Sequence, residues 1–265
     1  MSLSVATWNI NSVRLRIGLV LRFLKEFRPD VLCLQETKCP DGSFPFAAFR
    51  RAGYRHIEIH GQKGYHGVAI VSRRPLCAVD KRRFCGRDDA RHIAATVEHR
   101  GREVAIHNLY IPAGGDEPDP GINPKFAHKL SFLDELHGCM ASLAMPGSIL
   151  VGDLNVAPLA TDVWSHKQLL KVVSHTPVET AGLERARAAG GWVDLMRHFV
   201  PPEEKLFTWW SYRSPDWTVN NRGRRLDHIW VTPDLAAEAK ALSVLKDARS
   251  WERPSDHVPV IAAFA

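Results

Sequence analysis

Six short polar clusters punctuate the chain, each beside an apolar or alternating run: Trp8-Asn9-Ile10-Asn11, Gln35-Glu36-Thr37-Lys38, His107-Asn108-Leu109-Tyr110, Gly152-Asp153-Leu154-Asn155, Arg225-Leu226-Asp227-His228 and Ser255-Asp256-His257. Singly, an Asp or Asn at such a place is a turn former or helix cap. Together the clusters offer carboxylates, side-chain amides, a tyrosine and a histidine. These are hard oxygen ligands for Mg²⁺ and hydrogen-bond donors for an anionic group. Metal-assisted hydrolysis of a phosphate ester draws on that set: a cation against the developing charge, a base for the water and donors for the phosphate oxygens.

Such residues act together only if the elements carrying them end at one place. Residues 4–8 alternate and end at Asn9, which predicts a strand delivering a polar tip. Over 13–27, Ile17, Val20, Leu21 and Leu24 fall on one helical face before Pro29, and 31–35 reads as a buried strand. Strand, helix and strand in this order predict α/β layering, with Asn9 and Glu36 both just past strand ends, where sites often form. The middle predicts strands over 54–60, 68–72, 78–84, 93–98 and 102–110, close enough in sequence to pair antiparallel. A helix over 125–143 leads into a strand over 148–151, followed at once by Gly152 and Asp153. Helices over 180–189 and 191–199 and strands over 225–231 and 258–264 complete the chain. The polar loop 112–124 is long, but no linker or repeat divides the sequence, which predicts one domain over 1–265.

Composition fits that expectation. Of 265 residues, 45% are hydrophobic and 24% charged, enough to bury a core and unlike disordered or collagenous chains. Lys and Arg number 35 against 29 Asp and Glu, a net charge of +6, which favours a polyanionic partner. No apolar run approaches the about 18 residues of a membrane span, and no leader-like segment opens the chain, so a cytoplasmic protein without a membrane partner is expected. The five cysteines lack C-x-x-C spacing, and Cys33 sits within an apolar run, which points to packing rather than disulfides or zinc. Met140 also reads as packing, and Asp194 as a helix cap.

The order of motifs resembles a known family. Thr7-Trp8-Asn9-Ile10-Asn11, Leu34-Gln35-Glu36-Thr37-Lys38, Gly61-Gln62-Lys63-Gly64, Asn108-Leu109-Tyr110-Ile111-Pro112, Gly152-Asp153-Leu154-Asn155, Arg225-Leu226-Asp227 and Ser255-Asp256-His257-Val258-Pro259 are similar to those of the exonuclease III type of apurinic/apyrimidinic (AP) endonuclease, within the endonuclease/exonuclease/phosphatase superfamily. The resemblance covers nearly the whole chain. It implies a four-layer α/β sandwich, two mixed β-sheets packed face to face with helices outside, and an active site at one end of the sheets. It implies a monomer that hydrolyses phosphodiester bonds of double-stranded DNA, as AP endonuclease, as 3′ to 5′ exonuclease with 3′-end repair activity, or both.

Carried over residue by residue, Glu36 resembles the principal Mg²⁺ ligand, with Asn9 and Asp256 nearby and Asn11 acting through water; Mn²⁺ is an expected substitute. Asp153 resembles the group that orients and deprotonates the attacking water, and Asn155 the amide that donates to the phosphorane. Tyr110 resembles a contact to the scissile phosphate or leaving oxygen, and His257 a phosphate contact whose carboxylate partner is Asp227. A second metal among Asp153, Asn155 and His257 stays open. On the substrate side, Trp209 matches the aromatic of the sugar pocket and Leu226 its apolar neighbour, with Arg224, Arg225 and Lys63 as further DNA contacts.

Two departures stand out. Arg224 puts a cation where the pocket wall of the family is usually Trp or Leu, and Ile111-Pro112-Ala113-Gly114-Gly115 lacks the Asn that many members carry after the proline. Basic clusters at Arg50 and Arg51, Arg73 and Arg74, Lys81 to Arg83, Arg87 and Arg91, and Arg222, Arg224 and Arg225 suit a DNA backbone. The rival readings are a phosphatase of the same superfamily acting on a small phosphate ester, and a non-catalytic nucleic-acid-binding relative. The full acidic set argues against the second.

Overall fold

The computed structural model describes residues 2–213 and 216–265. One six-stranded sheet runs in the order β13 (Ala239–Val244), β14 (Val260–Phe264), β1 (Leu3–Asn9), β2 (Val31–Gln35), β4 (Val68–Ser72) and β3 (His56–His60). The other runs β5 (Cys77–Asp80), β6 (His92–His99), β7 (Arg102–Tyr110), β8 (Ser148–Asp153), β12 (Asp227–Val231) and β9 (Val193–Asp194). In each sheet only the central pair is parallel, β1 with β2 and β7 with β8. A parallel pair cannot close through a tight turn. Here α1 (Ile17–Phe27) lies between the first pair along the chain and α3 (Pro124–Leu143) between the second. The two sheets thus repeat one pattern of directions.

Alternation within the strands explains the layering, because successive side chains point to opposite faces. Leu3, Val5, Val31 and Cys33 of the first sheet meet Val104, Ile106, Ile149, Val151, Ile229 and Val231 of the second in one shared core. The opposite face of the first sheet, with Ala6, Trp8, Leu32 and Leu34, packs on Val20, Phe23 and Leu24 of α1 and on Phe49 of α2 (Phe46–Arg51). That of the second, with Leu109, Leu150 and Trp230, packs on Phe132, Leu133, Leu136 and Met140 of α3 and on Leu183 and Ala186 of α5 (Pro177–Ala189). The result is the expected four-layer α/β sandwich. Shorter pieces fill the rim: α4 (His166–Leu169), α6 (Leu195–Phe199), α7 (Trp217–Asn220), α8 (Pro233–Glu238) and a two-stranded ribbon of β10 (Trp209–Trp210) and β11 (Gly223–Arg224).

Some boundaries differ from the sequence reading. The helix expected from residue 13 begins at Ile17, because Asn11 and Ser12 have positive φ (47° and 84°) and fold the chain back. Ser12 N and Val13 N then donate to Glu36 O and Thr37 O. The helix expected over 191–199 is split: Val193 and Asp194 pair with Val231 and Trp230 of β12, and the Asp194 side chain caps α6 by accepting from Arg197 N. The strand expected over 78–84 is the exposed edge Cys77–Asp80. All five cysteines are free. Among the described residues no helix is long and apolar enough to cross a membrane.

Candidate active site

At one end of the sandwich the apolar rows between the sheets turn polar. Leu3 and Val5 are followed on the same face by Thr7 and Asn9, Val31 and Cys33 by Gln35, Ile106 by Asn108 and Tyr110, and Ile149 and Val151 by Asp153; Asp227 precedes Ile229. Register aligns these ends: Asn9 lies opposite Gln35, and Asp153 lies opposite both Tyr110 and Asp227. Beneath them a buried amide pair ties the sheets together. Gln35 Nε2 donates to Thr7 Oγ1 (2.9 Å) and to Asn108 Oδ1 (2.7 Å), and Asn108 Nδ2 donates to Leu34 O (3.0 Å) and Ala69 O (2.9 Å). Sequence reasoning gave these two residues no role. Their signal was an amide ending an otherwise apolar strand.

Glu36 leaves the strand in a left-handed conformation (φ 49°) and gathers donors from both sheets. Its Oε1 accepts from Asn9 Nδ2 (2.9 Å) and Tyr110 OH (3.0 Å), and Lys38 Nζ lies 2.8 Å from Oε2. Burial works against its charge, yet the Lys38 ammonium and the Asn9 amide hold its pKa below the ordinary carboxylate value. Asn9 Nδ2 also donates to Asp153 Oδ2 at 2.8 Å and so joins the two carboxylates. Asp256 is tied by Trp209 Nε1 to Oδ2 (2.9 Å) and by Asn11 Nδ2 to Oδ1 (3.2 Å). The Tyr110 phenol, pushed well above its usual pKa by burial and the neighbouring carboxylates, stays protonated as a donor.

Asp153 follows Gly152, whose place in β8 no other residue fits without movement: a Cβ there would stand 1.9 Å from Leu109 O. Asn155, at φ 52°, curls back so that its N and Nδ2 donate to Asp153 Oδ1 (3.0 Å) and Oδ2 (3.1 Å). Nδ2 also donates to Ile111 O at 2.9 Å. His257 lies between two carboxylates, with Nδ1 2.8 Å from Asp227 Oδ2 and Nε2 3.6 Å from Asp153 Oδ2. Burial pushes the Asp153 carboxyl up to about 7, against the pull of His257. Burial also disfavours a charged His257, but Asp227 and Asp153 outweigh it and raise the imidazole to about 10.

The donor chemistry separates two roles. Ligand atoms of Asp153, Asp227 and His257 lie within 4.8 Å of one another. The two carboxylates favour the protonated form of the imidazole between them, which suits this group to holding a proton. The oxygens of Glu36, Asn9, Asn11 and Asp256 are the harder, cation-seeking set. Lys38 Nζ already places positive charge there, 2.6 Å from Asn11 Oδ1. The cluster therefore suits a divalent metal at Glu36.

A cleft of about 790 Å³ opens over these groups, lined by Glu36, Asp153, Asn155, Asp256 and His257 on one side and by Trp209, Leu226 and Arg224 on the other. Arg225 is a correction to the sequence reading. It is fully buried and does not line the cleft, with Nε and Nη2 on Asp162 (2.7 and 2.9 Å) and Nη1 on Asp194 (2.7 Å). It lines a separate hollow of about 560 Å³ that contains none of the clustered site residues. Lys63 sits exposed on the loop before β4 and does not line the cleft. The sequence also gave no role to Lys129 and Glu179, a wholly buried ion pair in which Lys129 Nζ donates to Asn155 O at 2.7 Å.

Comparison with known proteins agrees with this geometry. The profile of the Endonuclease/Exonuclease/phosphatase family matches residues 6–257. Exodeoxyribonuclease III of Haemophilus influenzae is 30% identical over 97% of this chain and 98% of its own. An AP endonuclease from Archaeoglobus fulgidus superposes with a TM-score of 0.89 at 33% identity, covering 99% of both chains. The 3′ phosphatase NExo from Neisseria, bound to a product DNA hairpin, superposes with a TM-score of 0.90 at 34% identity, also covering 99% of both. With motifs, sandwich and clustered carboxylates all in agreement, the chain belongs to the endonuclease/exonuclease/phosphatase family, and within it to the exonuclease III type of AP endonuclease.

Proposed function

We propose that the protein is a Mg²⁺-dependent DNA repair nuclease that acts as a monomer on duplex DNA and hydrolyses the bond between phosphorus and a 3′ oxygen. The observation that carries this reading is the paired arrangement of Glu36 with Asn9 and Asp153 beside His257 with Asp227. Asp153, whose carboxyl burial holds near neutrality, takes the proton of the attacking water. The 3.6 Å between His257 Nε2 and Asp153 is too long for a hydrogen bond, which leaves that N–H for a phosphate oxygen. Asp227 keeps the imidazole charged and oriented. Asn155 exchanges an amide bond to Asp153 for one to the phosphorane, and Tyr110 OH, which donates to Glu36, contacts the scissile phosphate or leaving oxygen. A divalent cation at Glu36, with Asn9 and Asp256 beside it, would offset charge on the phosphate and leaving oxygen. The DNA hairpin held by the Neisseria relative and the net charge of +6 support DNA as the partner.

The test is cleavage of abasic, 3′-phosphorylated and matched duplexes with Mg²⁺ and with EDTA, by the wild type and by Glu36→Ala. Cleavage that depends on both the metal and Glu36 is expected. Undiminished activity in chelator would remove the metal assignment, and release of phosphate from inositol phosphates without DNA cleavage would favour the phosphatase reading.

A further inference from the structure

Arg224 is held across the aromatic side of the cleft. Its Nη1 donates to Val173 O (3.0 Å) and Ser174 Oγ (2.8 Å), and its guanidinium carbon lies 5.3 Å from the centroid of the Trp209 ring. The holder is itself fixed. Ser174 is in a left-handed conformation (φ 85°), which a non-glycine residue keeps only when its surroundings impose it. Its N–H donates to both Glu179 oxygens at 2.9 Å, its carbonyl accepts from Ala157 N at 2.7 Å, and Glu179 is locked to buried Lys129.

Register places this cation relative to the chemistry. Arg224 is directly opposite Trp209 in the ribbon, and Trp209 is directly opposite His257 in an antiparallel bridge. The three form one cross-strand row, neighbours about 5 Å apart at Cβ. At one end His257 faces Asp153, in the middle Trp209 holds Asp256, and at the other end the guanidinium stands against the Trp209 ring and Val173 O, in the cleft that Leu226 also lines.

We propose that Arg224 decides which DNA lesion the site accepts: it closes the aromatic pocket to an extrahelical abasic deoxyribose and receives the terminal phosphate of a 3′-phosphorylated strand. This rests on the function proposed above. In both substrates the water oxygen bonds to phosphorus, the bond from phosphorus to O3′ breaks, and O3′ leaves as a hydroxyl after taking up a proton. The substrates differ in another oxygen on the phosphorus. At an abasic site that oxygen continues into an uncharged sugar, which needs an apolar hollow. At a 3′-phosphate it is terminal, inorganic phosphate is released, and the group carries about −1.5 to −2 charges near neutral pH. A guanidinium meets such a group with paired, charge-assisted hydrogen bonds. Pressing a sugar against the same guanidinium would strip water from its remaining N–H groups without giving the cation a counter-charge.

The experiment measures kcat and KM of the wild type, Arg224→Leu, Arg224→Lys and Ser174→Ala on three duplexes: nicked with a 3′-phosphate, carrying a tetrahydrofuran abasic analogue, and matched. The wild type should prefer the 3′-phosphate over the abasic analogue by about a hundredfold or more in kcat/KM. Arg224→Leu should raise KM for the 3′-phosphate about tenfold and raise kcat/KM on the abasic duplex about tenfold, the scale of one lost charge-assisted contact. Ser174→Ala should move both in the same directions by less, and Arg224→Lys should keep the preference, so the inference stays testable if the leucine variant does not fold. Rates that fall together on all substrates, or a ratio within threefold of wild type, would make Arg224 a structural residue and overturn the inference. A wild type that prefers the abasic duplex overturns it while leaving the nuclease reading intact. A wild type that cuts none of the three refutes the proposed function and this inference with it.

Discussion

Asp153 accepts from Asn9, from the backbone and side chain of Asn155, and faces His257, and these contacts make its substitution informative. Asp153→Asn is nearly isosteric but cannot accept the water proton, so kcat should fall by at least about a hundredfold, the scale of a lost general base. Binding should hold or improve, because one negative charge facing a polyanion is gone. The rate of the wild type should climb with pH as a carboxyl held at about 7 loses its proton, and the variant should lack that limb. Cleavage in Mg²⁺ and affinity in Ca²⁺, measured on one duplex, check both; a kcat within threefold of wild type would retire the role. At this scale the sequence was legible where a polar residue followed a strand, as at Asn9, Glu36 and Asp153. It was not legible where the neighbour decides. Arg225 reads as one more cation in a basic run, and only Asp162, distant in sequence, turns it inward. Lys129 lies within the expected helix 125–143, and nothing near it in sequence marks it for burial against Glu179.

Strands and helices set how accurately those residues are held. In the parallel pair β7–β8, Gly152 lies opposite Leu109 at φ 143°, and a Cβ would enter the Leu109 carbonyl. Gly152→Ala must push the strands apart just before Asp153. We expect a loss of about 3 kcal/mol or more in stability, in the upper range for single substitutions, together with a fall in kcat. Urea unfolding and single-turnover cleavage report the two; a stability change under about 0.5 kcal/mol, the level of an ordinary surface site, would show that the backbone gives way without cost. Long apolar patterns made β2, β4 and β7 legible to the residue. Short or mixed ones failed. Residues 191–199 carry a helical look, but Val193 and Asp194 gain more by completing the edge beside β12. β13 has no apolar run and is a strand because β14 offers it an edge to pair with.

For the whole molecule, the distribution of the site between the sheets matters most. Asn9 and Glu36 extend from the first sheet, and Asp256 and His257 lie just ahead of its strand β14; Tyr110, Asp153 and Asp227 belong to the second. Three of the working pairs therefore cross from one to the other: Glu36 with Tyr110, Asn9 with Asp153, and His257 with Asp227. Apolar faces alone attract without direction, and it is Gln35 and Asn108 that bind one sheet to the other at a defined offset. The nuclease is in this sense armed only by closure. A nascent or refolding chain that has completed either half holds Glu36 without Tyr110, or Asp153 without Asn9 and His257, and is expected not to nick the DNA around it. In refolding from urea, secondary structure by far-ultraviolet dichroism should recover no later than cleavage, and cleavage should return with the near-ultraviolet signal of the packed tryptophans; activity that precedes that signal would show that half a sandwich can cut.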